Sequence, residues 1–205
     1  MNKQTTAAKK STAKSTSQST KLTKPGKGDQ QQESLLDKLF LDMLKDMYWS
    51  EKNLVPALKT MHDEATTDEL KDAFEDHMYV TQKHITRLEK VFSLLDKTAE
   101  AKKCDAMEGL IKEGQNIIKE TTKGTMTRDV GLIIAAQKVE HYEIASYGSL
   151  VQIARTIDRE DIAKIIEKTL WEEEDTDQLL TNIAESDVNP MADNEKDEES
   201  DTEEE

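Results

Sequence analysis

Glu140, within the stretch AAQKVEHYEIASYGSLVQIA (135–154), stands where helical spacing asks for an aliphatic side chain. Steps of three and four from Val130 pass through Ile133, Gln137, Glu140, Ile144, Tyr147, Val151 and Ala154, the stripe a bundled helix turns toward its partners. An ionised carboxylate buried there without partners costs several kcal/mol, so the position calls for a counter-charge, a proton or a metal. Three more stripes repeat the pattern. Leu36, Phe40, Met43, Met47, Glu51, Leu54, Leu58 and Met61 contain Glu51. Leu70, Phe74, His77, Thr81, His84, Leu88, Val91 and Leu95 contain two histidines two turns apart. Ile162, Ile166, Thr169, Glu173, Thr176, Leu180 and Ile183 contain Glu173. Glu143 lies one turn from Glu140, and Asp177 one turn from Glu173.

No lysine falls on these stripes, and a metal centre in the core is the economical account of acids and imidazoles converging from four helices. A donor set rich in carboxylate, poor in histidine and without thiolate suits iron or manganese better than structural zinc. The expected metal ligands are Glu51, His84, Glu140, Glu143, Glu173 and Asp177, with His84 as the nitrogen donor. Blander readings stay open: each acid taken singly as a paired structural carboxylate, each histidine as a satisfied core residue. Tyr48, Tyr142 and Tyr147 flank the acids, either as packing or as traps for oxidising equivalents. Glu108 reads as part of a solvated face or, as the alternative, as a further acid of the site.

The elements that must carry these residues are all helical. Aromatic residues make up only 4% of the chain, and period-3.6 patterning recurs in every segment of the middle. Helices are expected over 34–62, 68–96, 105–120, 127–156 and 159–185, giving an all-α, four-helix bundle with a short additional helix. Pro56 falls inside the first, where it removes a hydrogen bond and favours a kink. Gly124 reads as a stop and Thr127 as an N-cap.

The formal net charge of −15 is unevenly spread. Residues 1–32 carry seven Lys against one Asp, and residues 186–205 carry ten acids against one Lys. Both ends lack the apolar surface needed to offset ordering entropy, so 1–32 is expected as a disordered basic tail, 33–186 as the bundle and 187–205 as a disordered acidic tail. The single cysteine, Cys104, excludes a disulfide framework and any multi-cysteine zinc or iron–sulfur site within one chain; it reads as a small half-buried hydrophobe. No apolar run approaches the roughly 20 residues that span a bilayer, so no membrane association and a cytoplasmic protein are expected. The lysines of KKSTAKSTSQSTKLTKPGKG could neutralise nucleic-acid phosphates without sequence preference, although the acidic remainder opposes it.

Over about Ser34 to Asn189 the strings YWSEKNL, CDAMEGLI, AAQKVEHYEIASYG and TLWEEEDTD resemble the motifs of the YciE/YciF family of ferritin-like proteins. The resemblance implies a ferritin-like bundle with a short extra helix, dimers, a stress-related role and a di-iron ferroxidase centre. It carries ligand roles onto Glu51, Glu140, Glu143, Glu172, Glu173 and Asp177. The second helix departs: HMYVT has Tyr79 and Val80 where the family has two glutamates, leaving Thr81-x-x-His84 without a Glu. The implied function is a stress-related protein that binds iron (or manganese) through core carboxylates and oxidises Fe(II) with oxygen or peroxide. The alternatives are a structural dimeric bundle with a degenerate metal site, or a nucleic-acid-protecting protein acting through its basic tail. Trp171, facing away from the last stripe beside Leu170, is a candidate interface residue.

Overall fold

A computed structural model of the chain describes residues 33–196. The segments 1–32 and 197–205 lie outside the described residues, and with them the expected basic tail, its nucleic-acid contact and the end of the acidic tail. Four long helices form the bundle: α1 (Leu35–Glu64), α2 (Asp68–Leu94), α4 (Met126–Thr156) and α5 (Glu160–Ile183). The short α3 (Asp105–Glu120) packs against α1 and α4. The expected all-α bundle with one additional helix is the fold the chain adopts.

Local chemistry sets the ends. Ser34 and Asp37 form a reciprocal capping box at the start of α1, Ser34 Oγ accepting from Asp37 N at 3.0 Å and Asp37 Oδ2 from Ser34 N at 2.8 Å. Helix α1 then runs unbroken through Pro56. The α1–α2 turn is fastened from outside: buried Asp129 accepts from Thr66 N, Thr67 N and Thr67 Oγ1 at 2.7, 2.8 and 2.9 Å. Helix α4 starts one residue earlier than the sequence suggests, because Thr125 rather than Thr127 caps it, accepting from Arg128 N. Cys104 is buried, more fully than the half-buried position expected, and also caps α3, its sulfur facing Met107 N at 3.4 Å and Tyr142 Oη at 3.0 Å. Beyond α5 a π-helical turn (Ala184–Val188) leads into α6 (Asn189–Ala192). Val188 is buried, and Glu195 accepts from Met126 N, Thr127 N and Thr127 Oγ1. The fold therefore continues past residue 186, where charge alone suggested a tail.

Short turns make α1–α2 and α4–α5 antiparallel pairs, whereas the connection from α2 to α4, with α3 in it, is long. Arg128 meets Glu64 near one end of the bundle and Tyr147 meets Glu51 at mid-length, so α4 runs antiparallel to α1. The order is up-down-down-up with a single crossover. The apolar core is divided. One cluster gathers Leu54, Leu58, Leu70, Phe74, Leu132, Val139 and Leu180; the other Phe40, Leu44, Leu88, Phe92, Leu150, Ile162 and Ile166. A buried polar waist comprising Glu51, His77, Thr81, His84, Glu140, Glu143 and Glu173 separates them.

Candidate metal centre

Each helix delivers its polar residues to the waist because their spacing continues that of the apolar residues on either side. Leu54 follows Glu51 by three residues and Leu58 comes four further on; Phe74, His77, Thr81, His84 and Leu88 keep the same rhythm on α2; Ile166, Thr169 and Glu173 keep it on α5. Two groups result, each with one donor atom per residue and all donors within 4.8 Å of one another: His77, Glu140, Glu143 and Glu173; and Glu51, His84 and Glu173. Glu173 belongs to both. Its carboxylate lies between the imidazoles, 3.4 Å from His77 Nε2 and 2.9 Å from His84 Nδ1. His77 Nδ1 lies 3.4 Å from Glu140, and His84 Nδ1 lies 3.6 Å from Glu51. Such a buried acid–histidine cluster could hold a metal ion.

Glu51, His84, Glu140, Glu143 and Glu173 come together from their separate helices. Asp177 stands apart from both groups: it is half-buried at the outer side of α5, 3.3 Å from the exposed His141 Nε2 and 3.4 Å from Gln137 Nε2. His77 joins the first group instead, and its place on the α2 stripe was the signal for it. Glu172, known from the sequence only through the resemblance, meets His84 Nε2 at 2.8 Å and is clamped by Arg87. The α2 departure falls largely outside the waist: Tyr79 is 51% exposed and hydrogen-bonds Glu75 on the helix exterior, so a glutamate in its place would face solvent. Glu108 is exposed and paired with Lys103, and Trp171 is 55% exposed.

The electrostatics follow from burying four carboxylates around two imidazoles. Burial pushes Glu140 up to about 8 despite His77, and pushes Glu51 and, further, Glu143 upward as well. Burial opposes charge on the histidines too, yet the carboxylates outweigh it: Glu140 and Glu173 raise His77 to about 9, and Glu173 and Glu51 raise His84 to about 10. Glu173, with burial against it but an imidazole on each side, falls to about 2. Protons thus balance the charge on the chain's own groups, with Glu173 the ionised centre between two imidazolium rings. Tyr147 donates to Glu51 Oε1. Tyr48 instead donates to Glu89 at 2.9 Å, and Tyr142 meets Cys104, so neither tyrosine bonds the waist acids.

Protein comparisons agree with this architecture. The crystal structure of the Escherichia coli stress protein YciF (39% identical) and the structure of YcfI from Rhodopseudomonas palustris (32% identical) are both similar to the chain. Each match covers 77% of this chain and 99% of the other, with a TM-score of 0.72. YciF of Escherichia coli strain K12 is 41% identical over 160 residues, 78% of this chain and 96% of YciF. The family model described as Domain of unknown function (DUF892) matches residues 35–193, which hold all six α-helices of the described residues and every residue of the waist. With the motifs, the bundle and this match in agreement, the chain belongs to the DUF892 family, that of the YciF-like proteins.

Proposed function

We propose that the polar waist binds two divalent transition-metal ions, iron foremost with manganese as the alternative, and that Fe(II) is oxidised there at the expense of oxygen or peroxide. One observation carries the reading. Of ten buried side-chain nitrogen and oxygen atoms left without a hydrogen-bond partner among the described residues, nine belong to Glu51, His77, His84, Glu140, Glu143 and Glu173. Buried polar atoms are normally paired, and a cluster of orphans aimed at one space is what a cation would satisfy. The donor chemistry fits: oxygen-rich, with two imidazoles and no thiolate. Glu51 and His84 would hold one ion, and His77, Glu140 and Glu143 the other, with Glu173 serving both. Bound iron would supply the redox electrons. The chain's own residues bind and orient: Tyr147 fixes Glu51, and the apolar clusters above and below keep bulk water from the waist.

Similarity to the stress protein YciF supports a stress-related role, which we propose is exercised in the cytoplasm. Exposed Trp171 and Tyr79 support assembly as a homodimer, which sedimentation of the full chain would test. The deciding experiment for the site is bound-metal stoichiometry after anaerobic Fe(II) loading, with Glu140→Ala alongside, followed by ferric absorbance on admitting oxygen or peroxide. Two irons per chain in the wild type and fewer in the variant are expected. No iron in either would leave a structural bundle with a degenerate site.

A further inference from the structure

His77 and His84 reach the waist from the same helix but are held differently. His84 turns Nδ1 inward toward Glu173 and Glu51, at 2.9 and 3.6 Å, and Nε2 outward to Glu172 Oε2 at 2.8 Å. Arg87 grips Glu172 with a two-pronged contact, Nη1 donating to Oε2 at 2.5 Å and Nη2 to Oε1 at 2.7 Å, while Nη1 also reaches Thr169 Oγ1 at 3.2 Å. His77 has no outer partner; both of its nitrogens face acids of the waist, Glu140 and Glu173, at 3.4 Å. Glu172 also differs from those acids. Both its oxygens are engaged and its side chain is 35% exposed, whereas Glu140, Glu143 and Glu173 are buried with every oxygen unpaired.

We propose that Glu172 and Arg87 are positioning residues: Glu172 accepts the Nε2 hydrogen of His84 and so presents Nδ1 to an ion shared with Glu51 and Glu173, while Arg87 holds Glu172 in place. This rests on the metal reading above. A carboxylate on the far nitrogen of a ligating histidine fixes the ring and makes the near nitrogen a better donor. The planar guanidinium fork removes the freedom the glutamate would otherwise have near the surface. The Glu51–His84–Glu173 group is therefore the preorganised one, and it takes its ion before the His77 group.

Titration of the full-length protein with Co(II), followed by visible absorption and by the hyperfine-shifted exchangeable ring proton of His84 in the NMR spectrum, tests the assignment. Glu172→Ala is expected to weaken the first-bound Co(II) roughly 10- to 100-fold, to alter its spectrum and to lose the ring-proton signal to solvent exchange. Glu172→Gln keeps an acceptor oxygen, so it should retain the signal and most of the affinity. Arg87→Gln, which frees the glutamate without removing it, should fall between them and decides the matter should Glu172→Ala fail to fold. Wild-type affinity and an unchanged ring-proton signal in Glu172→Ala, or in Arg87→Gln, overturn the role assigned to that residue and leave the metal reading standing. A wild-type protein that binds no Co(II) overturns both.

Discussion

Replacing Glu140 by glutamine keeps the side chain's shape and removes its carboxyl, and the effect on stability should change sign when metal is added. Glu140 is 1% exposed, neither oxygen has a partner, and burial raises the carboxyl from its ordinary 4.5 to about 8. The folded protein thus keeps a proton that the unfolded chain surrenders. Stability from this group is intact below about 4.5, is lost progressively as pH rises, and is fully lost above about 8. At pH 7 the chain has crossed roughly 2.5 of those units, which at about 1.4 kcal/mol each is a penalty of about 3 kcal/mol. Glutamine carries no such penalty. The metal-free variant should be more stable than the wild type at neutral pH by up to about 3 kcal/mol, or some 6–12 °C in Tm at about 2–4 °C per kcal/mol. That figure is an upper bound, because the variant leaves His77 only Glu173 as a counter-charge. Near pH 4 the two proteins should melt together. With excess Mn(II) the order should reverse, since ligand binding stabilises the native wild type and the variant has lost a donor. Thermal melts at about pH 4, 5.5 and 7, with and without Mn(II), read each of these outcomes. A metal-free variant less stable than the wild type at pH 7 by about 2 kcal/mol or more would refute the reasoning, because Glu140 would then be an ionised partner of His77.

Affinity for a divalent ion should rise with pH up to about 10, because the ion displaces protons from Glu140, held at about 8, and from His77 and His84, held at about 9 and 10. Calorimetric titrations in buffers of different ionisation enthalpy count the protons released, and pH-independent binding would contradict the scheme. Asp177→Asn should leave the number of bound metal ions unchanged, because Asp177 lies outside both donor groups; elemental analysis showing a lost ion would restore it as a ligand. Asp129→Ala should cost about 2–4 kcal/mol in urea unfolding with no change in metal content, because three bonds that fasten the α1–α2 turn lose their acceptor.

Much of the waist was legible from spacing alone. Glu51, His77, His84, Glu140 and Glu173 all fall on stripes whose other members are mainly apolar, and a helix that buries one member of such a stripe carries the rest with it. Residues one turn off a stripe could not be resolved in this way. Glu143 and Asp177 look alike in sequence, each a turn from a seam acid, yet Glu143 is fully buried while Asp177 is half-exposed. Their neighbours make the difference. Helix α4 packs against α1, α3 and α5, so it is buried around much of its circumference, including Leu132, Ala135, Val139 and Glu143 beside the main stripe. Helix α5 lies mainly against α2 and α4, which leaves the side bearing Asp177 open to His141 and solvent.

The same division separates Glu172 from Glu173. Adjacent residues on a helix point about 100° apart, so only one faces the seam, and nothing in local spacing says whether the other finds a partner. That depends on the antiparallel α2–α5 pairing, which sets Arg87 and His84 opposite Glu172. Residues 187–196 show the limit in another form: their composition reads as tail, yet Val188 is buried and Glu195 bonds the start of α4. By itself the sequence determined the helices, their inward faces and the carboxylate–imidazole character of the core, because each follows from local periodicity and residue chemistry. Only the tertiary structure decided which acids meet, which histidine is held from behind and which apparent ligand stays outside, because those depend on the helix covering each face.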